Sequence, residues 1–199
     1  MPITINGSGT VTGLSAGGLP DGSITTDDIA ANAVTAAKIG YAGAILQVVS
    51  TTKTDTFTTT ATASSPAAVT GLSATITPSS TSSKILVLVN VGAVGNQTND
   101  YSSYIYLAKG GTIITGARGD ANGNRARCSA AVKLYATYHA APANLSYLDS
   151  PSSTSSLTYQ VYCSTQASST ATINRMGYDA DNDGIPLAIS TITAIEVAG

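Results

Sequence analysis

Tryptophan is absent from this sequence, phenylalanine occurs once, at Phe57, and glutamate once, at Glu196. There is one histidine, His139, and there are two cysteines, Cys128 and Cys163. Charged residues fill 10% of the 199 positions, against about 25% in an average soluble domain. Each shortage excludes something. A single Glu leaves no Glu pair for glycosidase chemistry. One His, with no Ser or Cys at a recognisable nucleophile spacing, assembles no catalytic triad. Neither Cys has a second Cys or His at ligand spacing. The two read as small buried apolar residues, or as a disulfide pair whose contact sequence alone does not place. Net charge is −2, so there is no basic footprint for nucleic acid. No P-loop occurs, nor a G-x-G-x-x-G after a strand. No apolar run approaches the ~20 residues of a membrane span. The first residues, MPITINGSGT, carry neither the basic nor the apolar region of a signal peptide. A location outside a cell would therefore be reached by a route other than ordinary secretion. The expectation is a protein without enzymatic activity.

Ser, Thr, Ala and Gly take the place of charge. Frequent Thr, Val and Ile favour strands over helices. From residue 44 onward the pattern is one of short strands: 44–51, 54–62, 69–78, 84–91, 101–108, 110–117, 128–140, 144–149, 157–165, 170–175 and 188–197. Ser, Thr, Gly, Pro and Asn punctuate them, and no segment makes a long amphipathic helix. KILVLVNV (84–91) is apolar on both faces, as a strand in a two-layer core would be. Many short strands with regular turn signals predict a mainly β fold, an antiparallel β-sandwich or barrel. Residues 44–199 suffice to bury a real core.

The first forty residues follow another rule. DGSITTDDIA (21–30) aligns over ANAVTAAKIG (31–40), and apolar residues recur every five positions at Leu14, Leu19, Ile24, Ile29, Val34 and Ile39. Five is neither the helix nor the strand period. Thr25 and Asp28 have nearly capping-box spacing, and Asn32 and Gly40 suit helix ends. Each decad thus reads as a turn and one or two helical turns. Pieces so short need partner copies. Three chains with Ile24, Ile29, Val34 and Ile39 facing a common axis would supply them. The other reading is a solvent-exposed linker whose periodicity is accidental. Residues 1–20, Gly-rich with scattered apolar residues, predict an arm that docks on something or stays disordered. The domain expectation is 1–20 arm, 21–43 stalk, 44–199 head.

Candidate sites in the head are few. YDADNDGI (178–185) alternates Asp179, Asp181 and Asp183 before Gly184, the opening of a calcium loop. Its twelfth position is Ser190 rather than a bidentate Glu, and an ordinary solvated turn is the competing reading. Arg118-Gly119-Asp120 reads as a chance turn. Ten of the eleven aromatics are Tyr. They cluster as Tyr101, Tyr104 and Tyr106, as Tyr135 and Tyr138, and as Tyr159 and Tyr162. Tyr101, Tyr104 and Tyr106 are candidates for a ligand surface or a subunit interface. No cofactor is expected beyond calcium at the Asp turn.

Two groups of phrases carry a family resemblance. The opening ITINGSGTVTGLSAGGLPDGSITTDDIAANAVTAAKI resembles the N-terminal part of tail-fibre-like structural proteins of tailed bacteriophages, especially those of aquatic bacteria. Asp28 stands where those decads commonly have Lys, while Lys38 keeps it. ILQVVSTTKTDTFT, VTGLSATITPSSTSSKILVLVNV, YLDSP, TYQV, INR and ITAIEVAG resemble, in order, a domain of such virion proteins. The resemblance implies a homotrimeric virion appendage with a jelly-roll-like head of the tumour-necrosis-factor type, assembled in the host cytoplasm. It also implies docking to another virion protein, of tail or capsid, through the arm, and attachment to host-surface glycan or protein through the head. An alternative is a capsid decoration or head-fibre protein that stabilises the shell or adheres loosely to surfaces. At 1.5–3.4 Å per residue, residues 21–43 reach only about 35–80 Å, which favours that alternative over a long fibre. A carbohydrate-degrading enzyme is the third reading, and the lone Glu argues against it.

Overall fold

The computed structural model describes residues 42–199 and, before them, residues 24, 25, 27, 29, 30, 31, 33 and 34. The expected arm, most of the expected stalk and Ile39 lie outside the described residues. Gly40–Gly199 forms a unit of its own, called the head below.

The head is mainly β. Its strands are β1 (Ile45–Lys53), β2 (Phe57–Thr59), β3 (Ala67–Ile76), β4 (Lys84–Asn96), β5 (Tyr101–Lys109), β6 (Thr112–Ile113), β7 (Ala130–Leu134), β8 (Ala140–Asp149), β9 (Leu157–Thr165), β10 (Ala171–Ile173) and β11 (Ser190–Val197). All the strand pairs are antiparallel. One sheet runs β1-β11-β4-β10-β2, with β8 on the other edge of β4. The second runs β3-β9-β5-β6, with β7 also on β5. Both sheets face one apolar layer built from Leu72, Ile76, Ile85, Val87, Ile105, Leu107, Val161 and Ile192, all essentially without solvent contact. Among the described residues no helix is long and apolar enough to cross a membrane.

Period-two alternation explains most of these strands. In β11 the residues Ser190, Ile192, Ala194 and Glu196 point inward and their neighbours outward. In β5 the inward set is Ser103, Ile105 and Leu107. Several expected strands come out differently: 54–62 is a strand only over Phe57–Thr59, 170–175 only over Ala171–Ile173, and 144–149 begins earlier, as Ala140–Asp149. Strand β4 runs on to Asn96, because β10 and β8 still pair with its last residues. The expected strand 128–140 stops at Leu134, which pairs with Tyr101, the first residue of β5; beyond it no partner remains. Only Thr112 and Ile113 of the expected strand 110–117 pair, after a turn at Gly110 and Gly111 with φ of 56° and 80°. The chain then enters a 3-10 turn, Thr115–Ala117.

The outward face of the first sheet is unusually apolar. Val48, Ile195, Leu86 and Leu148 are cross-strand neighbours in one row over four strands. Val48 and Leu148 are about half exposed, as is Leu88 in the next row. KILVLVNV is therefore apolar on both faces, and among the described residues only one face is covered.

The two ends of the head differ. At one end the chain enters β1 beside the C-terminus, where Gly43 N–H donates to Ala198 O (2.8 Å) and Ala198 N–H to Ala44 O (2.8 Å). The opposite end gathers residues 54–56, 60–66, 97–100, 135–139 and 166–170, and the segment between β10 and β11. The strand registers fix this division.

The lone Glu ties the first of these ends. Glu196 is fully buried. Its Oε2 accepts from Gln47 Nε2 (2.6 Å), and its Oε1 from the Ser79 N–H (2.7 Å) and Ser79 Oγ (2.6 Å). Gln47 Nε2 also donates to Thr77 O (2.7 Å). The carboxylate thus fastens β1 and β11 to the chain crossing from β3 to β4. Burial by itself raises the Glu196 carboxyl, but the hydrogen bonds from Gln47 and Ser79 outweigh it and hold the group below its ordinary value of 4.5. A depressed folded pKa contributes stability that is present above the unfolded pKa and is lost as pH falls through the folded one. Glu196→Gln should cost about 1–3 kcal/mol at pH 7, since an amide donor then faces Gln47. The difference from wild type should shrink as pH drops below 4.5. Urea unfolding at pH 7 and pH 3 measures both; equal stability at pH 7 would show that the tie contributes nothing.

Candidate functional site

Buried asparagines root the loops at the loop-bearing end. Asn96, at the end of β4, has no solvent contact. Its Nδ2 donates to Ser103 Oγ (3.1 Å) and Thr165 Oγ1 (3.0 Å). Its Oδ1 accepts from the Thr98 N–H (3.0 Å) and from Ser169 Oγ. One side chain thereby anchors the turn 97–100 and the loop 166–170.

Asn174 does the same for the longest excursion. Strands β10 and β11 run in the same direction along one edge of β4. Between them the chain leaves the sheet and returns: Asn174 N–H donates to Ala93 O, Ala188 N–H to Asn174 O, and Gly92 N–H to Ile189 O. Asn174 sits at φ 64°, a left-handed conformation that Asn tolerates better than most residues. Its Nδ2 holds Lys53 O (3.0 Å) and Asp55 O (2.9 Å), and its Oδ1 accepts from Ser190 Oγ (2.5 Å). Gly177 follows, packed so closely on Asn96 that an added Cβ would overlap the Asn96 carbonyl.

This root presents Tyr178. Its N–H donates to Thr137 O (2.8 Å), and the Thr137 N–H donates to Asn99 Oδ1 (3.0 Å). Three loops are thus joined, by one backbone bond and one bond to the Asn99 side chain. Above them the rings of Tyr138 and Tyr178 meet with centroids 4.5 Å apart and planes tilted by 31°. Tyr138 is 56% and Tyr178 41% exposed. Tyr135, on the same turn as Tyr138, is more exposed still and takes Lys133 Nζ at 5.8 Å from its ring centre. A depression of about 450 Å³, lined by Thr60, Gln97, Thr98, Ser168, Ser169 and Thr170, lies beside the turn 97–100. Another of about 560 Å³ is lined by Tyr104, Asn124, Gln166 and hydroxyl residues including Thr62 and Ser64.

The expected sites fare unequally. Asp179, Asp181 and Asp183 are all exposed. They do not converge: among the described residues no three of His, Cys, Asp and Glu are placed to share a metal ion. Asp179 turns instead to Arg175, with Oδ2 3.3 Å from Nη1. The cation reading of these residues is corrected accordingly. Tyr106 is buried and its hydroxyl bonds Ser164 Oγ (2.9 Å); burial pushes that phenol up to about 12. It is withdrawn from any ligand. Tyr101 and Tyr104 remain half exposed. Cys128 and Cys163 are both free thiols, and burial pushes Cys163 up to about 12. Ile24, Ile29 and Val34 are exposed. The pairing of Tyr138 with Tyr178 escaped the sequence reading. The Tyr178 motif stands out for its carboxylates, and nothing local to either residue signals a contact between the turn 135–139 and the segment between β10 and β11.

The chain was compared with known proteins. No protein-family model matches. No curated protein is similar to it either. Among solved structures, the chain is similar to the VP2 subviral particle of infectious bursal disease virus, at 16% identity and a TM-score of 0.28. The match covers 77% of this chain and 38% of that one. A likeness of that degree carries no argument about function.

Two outcomes are expected. Gly177→Ala should cost about 1–3 kcal/mol through the Asn96 overlap and raise the accessibility of Tyr178 to iodination or nitration; unchanged melting and labelling would show that Gly177 does not seat the loop. Adding millimolar calcium, or removing it with EDTA, should leave the melting temperature within about 1 °C, since separated carboxylates give a divalent ion no shared shell. A clear rise with calcium would restore the cation reading.

Proposed function

We propose that this protein is a non-enzymatic virion structural protein of a tailed bacteriophage, a short homotrimeric fibre whose head attaches the particle to the host surface. The observation that carries this reading is the division of the head's two ends. The chain enters at one, and the rooted, tyrosine-bearing loops gather at the other, which suits a module that is tethered from behind and makes contact in front. The strand order agrees. Taking β1, β3, β4, β5, β7, β8, β9 and β11 as first to eighth, the sheets read 1-8-3-6 and 2-7-4-5, the double Greek key of a jelly roll.

Trimerisation draws on two apolar surfaces that are exposed among the described residues. Ile24, Ile29 and Val34 repeat at intervals of five and are exposed. The row Val48, Ile195, Leu86 and Leu148 gives a second copy of the head a surface almost without charge. Contiguous exposed apolar groups of this kind mark association surfaces. The phrases that resemble tail-fibre-like proteins supply the phage context. A capsid decoration role keeps the same arm, trimer and head and differs in where the arm docks; immunogold labelling of particles separates tail from shell.

Light scattering on the full chain and on residues 44–199 tests the assembly. The full chain should have a mass of about 60 kDa, three times 19.9 kDa. A truncation that stays trimeric assigns the main contact to the head, and one that falls to monomer assigns it to the decads. A monomeric full chain would remove the physical basis of the fibre reading.

A further inference from the structure

Tyr138 and Tyr178 are exposed rings that pack on each other rather than into the core. Tyr138 and Tyr178 are held in place rather than left loose. Tyr178 N–H is bonded to Thr137 O, Thr137 to Asn99, and the whole excursion to Asn174. Each ring covers part of the other at 4.5 Å and leaves the remainder to solvent. The result is a pre-organised, half-exposed pair of tyrosine rings.

Its surroundings narrow the ligand. The turn 97–100 contributes Asn99 to the platform and Gln97 and Thr98 to the adjoining depression of about 450 Å³. That depression is lined by hydroxyls and one amide, with no charged side chain. The loops at this end carry Asp55, Asp100, Asp179, Asp181 and Asp183; Asp55 is paired with Lys53 and Asp179 with Arg175, and Lys133 lies over the Tyr135 ring. Flat apolar faces with neutral hydrogen-bonding rims match the C–H face and hydroxyl edge of a sugar ring.

We propose that Tyr138 and Tyr178 form the stacking platform for a pyranose ring of a neutral saccharide, with Asn99, Gln97 and Thr98 lining the path of the adjoining sugar units. This deepens the attachment reading above and rests on it for its biological setting, but the site itself is tested separately.

The test is saturation-transfer-difference NMR on the full chain with the methyl glycosides of glucose, galactose, mannose and N-acetylglucosamine. At least one glycoside should receive saturation, with a Kd in the millimolar range expected of a single weakly held ring. Tyr138→Ala and Tyr178→Ala should each weaken it by about tenfold, Tyr178→Phe by no more than about threefold, and Tyr135→Ala not at all. Melting curves accompany each variant, and Tyr138→Leu keeps the apolar bulk without the flat face should the alanine variant fold poorly. Absence of transfer from all four glycosides overturns the proposal, as does transfer indifferent to both tyrosines. A second arm separates the two readings: fluorescent full chain is added to a panel of aquatic bacterial isolates, with and without periodate oxidation of their surface sugars. Cell binding that survives both periodate and the Tyr138→Ala/Tyr178→Ala double variant leaves attachment standing and removes the saccharide platform. Glycoside binding at the pair without any cell binding removes attachment and leaves the platform.

Discussion

Strand β4 is shared, and the rest of the head follows from how. One of its edges is taken by β8. The other is taken in succession by β11, over Lys84–Val91, and by β10, over Val94–Asn96. These two segments follow each other in the same direction, as one uninterrupted strand would, but residues 174–189 between them leave the sheet and return. Asn174 roots that step, with a left-handed backbone and a side chain that satisfies carbonyls of the β1–β2 crossing and the hydroxyl of Ser190. The excursion that carries Tyr178 is thus an insertion between two strand segments, and it is fixed at its root by the sheet's own polar contacts. A loop hung on a rigid scaffold in this way can hold a side chain in place without being buried itself.

The same economy of polar groups recurs across a chain with few charges. Glu196 binds Gln47 and Ser79 at the end where the chain enters. Asp149 accepts from Lys109 Nζ (2.6 Å) and from the hydroxyl of the fully buried Tyr159 (2.6 Å). Burial, and then the bond to Asp149, push that phenol far up, so it stays a donor under all ordinary conditions. Buried groups of this kind are costly to leave unmatched, and each has its partners.

What could be read from the sequence divides along the same line. Alternation of apolar and polar residues showed where β1, β5, β9 and β11 run, because burial on one face is a local property with period two. The inward position of Glu196, two residues after Ala194 and four after Ile192, was a legible signal that this carboxylate faces the interior. Strand lengths were less legible. The end of β7 at Leu134 is set by where β5 begins, and the extension of β4 by the arrival of β10, both long-range facts. The alternating Asp179, Asp181 and Asp183 imitate a cation loop locally, yet cation binding requires convergence, and Arg175 draws Asp179 aside. The Tyr138–Tyr178 contact was illegible for a similar reason: it depends on two excursions meeting.

A surface that attaches through tyrosine faces and neutral amides works under different constraints from one that attaches through charge. Stacking is short-ranged and is not weakened by the salt that screens exposed ion pairs. It also lacks long-range steering, so each encounter depends on orientation. A single ring on a single platform is worth little, and a useful hold then has to come from multiplicity. In the proposed assembly, three heads on one trimer and several trimers on one particle would turn later contacts into intramolecular ones at high effective concentration. On this reading the apolar repeat, the uncovered row on the first sheet and the tyrosine platform are parts of one device: the first two bring copies together so that the third can be weak.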